Sequence, residues 1–230
     1  MIKFKTLKTS NIILLVFGLV LVSALIAKDL NSKKREKIDA KNAVYKTLGI
    51  NNSQPVNHIF LDGFRDGIIY QIKQGNELKI DFINNEFCND SCVYRFSFDT
   101  LFVNVSNTEV SSKSFDVPMV KITIPELKSV HVNNVNCNLL KFESDTLQLN
   151  MTSDYYEINL KNCNLNTLIF NGKSSSLDLD ATNTIEHLIF NSKGFGAKLN
   201  LDGANINHLD FNSDSVEVNL SGSSIKKYIK

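Results

Sequence analysis

Apolar residues return at every second position in short runs along most of this chain. Tyr156-Glu-Ile158-Asn-Leu160, Leu177-Asp-Leu179-Asp180, Leu199-Asn-Leu201-Asp202 and Val216-Glu-Val218-Asn-Leu220 all alternate this way. A period of two sends successive side chains to opposite faces, so each run predicts a strand with one buried face. A second motif recurs between these runs. Leu165-Asn-Thr-Leu168-Ile-Phe170-Asn171 is followed by Ile185-Glu-His-Leu188-Ile-Phe190-Asn191 and Ile206-Asn-His-Leu209-Asp-Phe211-Asn212. Leu127-Lys-Ser-Val130-His-Val132-Asn133 and Ser144-Asp-Thr-Leu147-Gln-Leu149-Asn150 are weaker copies, and the chain ends on Ile225-Lys-Lys-Tyr228-Ile-Lys230. The starts at 127, 144, 165, 185, 206 and 225 are separated by 17, 21, 20, 21 and 19 residues.

Such a period, with two strands per repeat and no helical return, predicts an all-β chain built as a right-handed parallel β-helix, a β-solenoid. Leucine-rich repeats share the period but need a helical or 3₁₀ return. Phe170, Phe190 and Phe211 are expected to stack inside as a column. Asn133, Asn150, Asn171, Asn191 and Asn212 are expected to stack and hydrogen-bond along the axis. The regular repeats occupy residues 127–230. Residues 55–126 read as irregular first turns, with strands over Val56–Leu61, Gly67–Ile72, Glu77–Ile83, Cys92–Ser97, Thr100–Val105 and Met119–Ile124.

The pattern changes at the N-terminus. A basic tail, residues 1–10, carries Lys3, Lys5 and Lys8, and the stretch Thr9–Ala27 has no charge at all. Its length of roughly 28 Å as a helix matches a bilayer core, so residues 11–27 predict one transmembrane helix, an uncleaved signal anchor. A cleaved signal peptide ending near Val22-Ser23-Ala24 is the competing reading. Residues 28–54 read as a juxtamembrane helical segment stopping near Gly49. Lys28, Lys33, Lys34, Arg35 and Lys37 follow the apolar run, so the positive-inside rule alone disfavours an exported β domain. The expected location is nonetheless the cell membrane, single-pass, with the β domain on the periplasmic or surface side.

The net charge of +1 gives no clustered basic surface for phosphates, so nucleic acid is not an expected partner. Hydrophobic content of 43% suffices for a packed core.

Two stretches carry a family resemblance. Asp62-Gly63-Phe64-Arg65-Asp66-Gly67-Ile68-Ile69-Tyr70-Gln71-Ile72-Lys73-Gln74-Gly75-Asn76 resembles the opening of bacterial head GIN domains, also described as proposed autotransporter adhesins. Val120-Lys-Ile-Thr-Ile124-Pro125-Glu126-Leu127-Lys128-Ser129-Val130 is similar to that family's strand-then-Pro entry into its repeats. The resemblance spans roughly residues 56–225. It implies a β-helical domain in the bacterial envelope and supplies no catalytic residues.

Candidate chemistry is sparse. His187 and His208 share a repeat position and should be neighbours; a metal would want a third ligand, with Glu186 and Asp210 adjacent in sequence, but a polar surface stack is the preferred reading. Asp178, Asp180 and Asp202 should point outward, and Asp180 and Asp202 should stack, as a solvated acidic face before a calcium or sugar contact. Ile169 and Ile189 should sit outside on adjacent turns as a partner face or self-association patch. His58 and His131 show no constellation, and Cys137 and Cys163 are expected in the core. No phosphate loop, Gly-x-Ser-x-Gly elbow or His-Glu-x-x-His motif occurs, and no arginine follows Arg95. No cofactor is expected. The sequence therefore points to a non-catalytic envelope module for binding, adhesion or scaffolding, with a glycan or protein as partner. A glycan-active β-helix enzyme is the alternative.

Cys88-Asn-Asp-Ser-Cys92 is poor zinc spacing and is better suited to a local disulfide in an exported domain. Alkylation and mass spectrometry of protein from its native compartment should find both sulfurs blocked. Two freely labelled thiols would refute both pairing and export.

Overall fold

The computed structural model describes residues 45–48, 50, 55–63, 68–83, 92–105 and 117–222. Alternation has become strand throughout. The early strands are β1 (Tyr45–Leu48), β2 (His58–Gly63), β3 (Ile69–Gln74), β4 (Lys79–Ile83), β5 (Cys92–Ser97) and β6 (Thr100–Val105). Next come β7 (Val120–Ile124), β8 (Ser129–Asn133), β9 (Asn136–Leu140), β10 (Glu143–Met151), β11 (Glu157–Lys161) and β12 (Asn164–Lys173). The last are β13 (Ser176–Asp180), β14 (Thr184–Lys193), β15 (Ala197–Asp202), β16 (Asn205–Ser213) and β17 (Val216–Ser221).

From β8 onward, successive strands alternate between two sheets. The nine-stranded sheet runs β1-β4-β7-β3-β9-β11-β13-β15-β17 and the eight-stranded sheet β16-β14-β12-β10-β8-β2-β6-β5. This arrangement corrects the expected right-handed parallel β-helix. Both sheets are open and mixed, and neither forms a closed or solenoid sheet. Strand β4 pairs antiparallel with β1 and β7, and β5 pairs antiparallel with β6. The cause is local: Phe98-Asp99 makes a tight turn between β5 and β6, with Phe98 at φ 54°, so the chain doubles back instead of advancing one rung.

The N-terminal prediction is corrected where it can be seen. Tyr45–Leu48, expected to close a helical segment, is a strand whose partner is Ile80–Ile83. Its Tyr45 hydroxyl donates to the Pro118 carbonyl at 2.7 Å, and Lys121 sits 3.5 Å over its ring. No described helix is long and apolar enough to cross a membrane. The expected span over residues 11–27 lies outside the described residues, as do Cys88 and Ile225–Lys230.

The inward faces of both sheets share one core. On the nine-stranded sheet, Leu139, Leu160, Leu179 and Leu201 stand in register and are buried. On the eight-stranded sheet, Leu149, Phe170 and Phe190 do the same, and Phe211 continues the register. The Phe170 and Phe190 rings stack at 4.8 Å and 17°, the spacing of neighbouring strands. Phe211, on the last strand of that sheet, is tilted by 63° against Phe190 and is 45% exposed, so the expected inner column loses its cover there.

One repeat joins out of its sequence alignment. Matching the copies would set Leu147 against Val130 and Asn150 against Asn133. Instead Leu149 faces Val130 and Asn150 faces His131, a slip of two residues. An even slip keeps every apolar side chain inside, whereas a slip of one would turn them all out. It also lengthens the 17-residue spacing to a 19-residue step from Val130 to Leu149.

Corners from the nine-stranded to the eight-stranded sheet use one residue with positive φ: Lys141 (60°), Asn162 (56°) and Gly203 (76°). Each is followed by a buried residue, Phe142, Cys163 or Ala204. The corner after β13 is longer and is closed by Asn183, which is 1% exposed. Its Nδ2 donates to the Leu160 carbonyl at 2.8 Å, and its Oδ1 accepts from the Cys163 N–H at 3.1 Å.

Replacing Phe190 by Asp would bury an unpaired carboxylate between two sheets, a cost of several kcal/mol (about 2–7 for an uncompensated polar group, and more for a charge). We expect the variant to be largely unfolded or to melt far below the parent in circular dichroism. An unchanged melt would refute the Phe170–Phe190 column.

Candidate functional site

Outward positions form ladders as regular as the core columns. Asn171 donates from Nδ2 to Asn150 Oδ1 at 2.8 Å, Asn191 to Asn171 at 2.8 Å and Asn212 to Asn191 at 2.9 Å. Asn150 in turn meets His131 Nε2 at 3.3 Å. That contact makes Nε2 an acceptor, which requires a neutral imidazole. Burial, then the neighbouring His58, push the His131 imidazole below its usual range. The ring also stacks on Phe60 at 6.1 Å. Asn133 leaves the ladder because of the two-residue slip and bonds Asp62 Oδ1 at 2.9 Å.

The nine-stranded sheet carries a second ladder that the motif alignment missed, because its asparagines lie inside the alternating runs. Asn138, Asn159, Asp178, Asn200 and Asn219 stand in register. Asn159 donates to Asn138 at 3.2 Å, Asn219 to Asn200 at 2.8 Å, and Asn200 to Asp178. Asp178 is the exception among amides. A carboxylate accepts from Asn200 but has no N–H for Asn159. Burial, then a hydrogen bond shared with Glu157, raise its carboxyl to about 6, and Asn200 opposes the rise.

An open groove of about 970 Å³ runs along the eight-stranded sheet, lined by His58, Ser129, His131, Glu143, Gln148 and Asn166 among others. Within it, His58 Nδ1 lies 2.7 Å from Ser129 Oγ, and His58 Nε2 lies 3.5 Å from Asp99. Sequence reading gave His58 no constellation, because its partners sit 71 and 41 residues away and only the strand pairing brings them in. The order Ser-His-Asp suggests a hydrolase relay, but the surroundings do not complete one. The N–H groups of Lys128 and Ser129 both go to the Asn57 carbonyl, so neither is left to hold an oxyanion there. Ser129 is 6% exposed. The three side chains tie β2 to β8 and to the β5–β6 turn.

The sequence-selected residues divide between the sheets. His187 and His208 pair in register on β14 and β16, with rings stacked at 4.7 Å and 13°. Ile169 pairs with Ile189, both half-buried, and Asp210 follows on the next strand. Asp180 and Asp202 pair on the other sheet. Both are occupied locally: Asp180 Oδ1 accepts from the Thr182 N–H at 3.0 Å and from Asn183 Nδ2 at 3.1 Å, while Asp202 accepts from Ser221 Oγ at 2.6 Å. Asp180 therefore braces a corner. Cys137 and Cys163 are buried free thiols. Burial pushes the Cys137 thiol far up and, as the largest cause, raises that of Cys163. Cys92 begins β5 opposite Val105.

No family model matches the chain, and no curated protein matches it. Solved structures resemble it distantly. A proposed adhesin of Bacteroides fragilis is 10% identical, covering 79% of this chain and 98% of that one, with a TM-score of 0.46. A proposed lipid-binding protein of Parabacteroides distasonis is 16% identical over 80% and 96%, with a TM-score of 0.38. A proposed cell adhesion protein of Clostridium sporogenes is 12% identical over 78% and 99%, with a TM-score of 0.33. These are distant likenesses of strand arrangement and carry nothing about ligands or residue roles.

Asp178 holds its proton more tightly when folded, at about 6, than at its ordinary value of 3.8. The unfolded chain then binds fewer protons between those values, so this group's contribution to stability falls as pH rises through that window. Asp178→Asn should restore a donor to the ladder and remove that slope. We expect a gain on the order of 1 kcal/mol at pH 7.5, the half-exposed site being discounted for solvent screening. Urea melts from pH 4 to 8 check this; an unchanged slope refutes the assignment.

Proposed function

We propose that this protein is a non-catalytic binding module of the cell envelope, and that its polar ladders and groove hold a repeating polar polymer, foremost an envelope glycan. The observation that carries the reading is the registered outward row of amides that begins at His131, a residue lining an open groove. Neighbouring rungs stand ~4.8 Å apart, so one kind of contact is offered again and again along one axis. Weak contacts repeated on one rigid frame add up to useful avidity. Neutral amides, hydroxyls and carboxylates are the donors and acceptors that match sugar hydroxyls. The uncharged run Thr9–Ala27 supports a membrane location, with the β domain on the exported side.

The test is a panel of envelope glycans and acidic polysaccharides scored for binding and for product release. Binding without cleavage is expected, and Gln148→Ala or Asn166→Ala should each weaken it about fivefold, the worth of one hydrogen bond of ~1 kcal/mol. No binding across the panel would refute the glycan reading. Cleavage abolished by Ser129→Ala or His58→Ala would replace it with a hydrolytic one.

A further inference from the structure

Strand β14 breaks its own alternation. Ile185 and Leu188 both point into the core, so the two residues between them, Glu186 and His187, both face outward. The same occurs on β16, where Asn207 and His208 lie between Ile206 and Leu209. The ladder registers Ile185 with Ile206 and His187 with His208 but passes over Glu186 and Asn207. Each strand bends its period of two here, with two outward residues in succession. On a straight strand Glu186 would point away from His187; the bend places both on one side.

We infer that Glu186, His187 and His208 form a binding site for a divalent first-row transition ion of the zinc type. Their ligand atoms all lie within 4.8 Å of one another. Glu186 Oε1 is 3.8 Å from His208 Nε2. The other carboxylate oxygen, Oε2, accepts from Asn207 Nδ2, which fixes the carboxylate while leaving Oε1 toward the histidines. A carboxylate held by an outer hydrogen bond is the usual support for a metal ligand. Two imidazoles and one carboxylate are a donor set that zinc, copper, nickel and cobalt accept, and that magnesium and calcium do not prefer.

The geometry is open by a modest amount. Ligands at ~2.0–2.1 Å around a tetrahedral ion stand about 3.3 Å from one another. Closing from 4.8 Å therefore needs about 1.5 Å of movement. The exposed imidazoles supply most of it, His208 being 63% exposed, while Glu186 stays on Asn207. Rotation about χ1 and χ2 must also unstack the two rings, so that their in-plane lone pairs converge, with the backbone held by the ladder. Three protein ligands leave a fourth position for water. The site lies one strand beyond Asn166 at the groove's edge, shares no residue with the groove lining and does not depend on the glycan reading.

Calorimetric titration of the full-length, detergent-solubilised, metal-stripped chain with zinc tests this, alongside cobalt titration followed by visible absorption. The parent should bind one zinc ion that His187→Ala and His208→Ala each weaken at least tenfold. Glu186→Gln should weaken it several-fold, and the cobalt bands should vanish in the double histidine variant. Because these residues face solvent, circular dichroism melts of the metal-free variants should match the parent. Zinc binding of equal strength in the double variant, or none in the parent, would overturn the site.

Discussion

Registered stacking of like side chains on neighbouring strands is the constraint on which this structure rests. Each strand can bury its apolar face only if the next presents an apolar residue at the same height. Leu160, Leu179 and Leu201 meet this condition on one sheet, and Phe170 and Phe190 on the other. The outward faces obey the same rule with polar groups. Asn171 is satisfied by Asn150, and Asn191 by Asn171. Core and surface thus depend on one register, and a slip that spoiled one would spoil the other. The joint between β8 and β10 shows the tolerance: a two-residue slip keeps the core and trades an asparagine partner for His131.

Polar groups also do the work that tight corners ask of them. Asn183 is buried and bonds the chain in two earlier places, the Leu160 carbonyl and the Cys163 N–H. A hydrophobic residue there would leave those backbone groups without partners, at a cost of about 1–3 kcal/mol each. Asp180, read from sequence as part of an acidic face, braces the same corner. Its neighbour in register, Asp202, receives Ser221. What looks like binding chemistry in the sequence is, at Asp180, the cost of turning the chain.

Local periodicity was legible, and what depends on distant pairing was not. Cys92–Ser97 and Thr100–Val105 were read to the residue, because alternation and turn chemistry are local. The pairs Phe170 with Phe190 and His187 with His208 followed from the spacing of well-preserved copies. The division into two open mixed sheets did not follow: the Phe98-Asp99 turn that reverses β5 onto β6 is local, but nothing near β4 says that β1 and β7 run opposite to it. Nor did the second amide ladder, whose members are the outward residues inside the alternating runs and carry no motif of their own. The link from His58 to Ser129 and Asp99 was invisible for the same reason. Glu186 was named only as a sequence neighbour of His187. The bend that turns it to the same side arises from two consecutive outward residues, a break in period that an alignment smooths over.

The amide ladders also have a sense of direction. Asn212, Asn191 and Asn171 each point their N–H toward the earlier strand, as Asn219 and Asn159 do on the other sheet. In the Asn150–Asn212 column the bond dipoles therefore add head to tail instead of cancelling, as peptide dipoles do in a helix, whereas Asp178 interrupts the sum in the other column. The unbroken column has an electropositive head near His131 and a carbonyl tail at Asn212. Anything that prolongs a column from its tail must arrive donor first: asparagine, glutamine, lysine or a sugar hydroxyl fits, and a carboxylate is repelled. The stack is chemically one-way, and an elongated ligand lying along it can be read in only one of its two orientations.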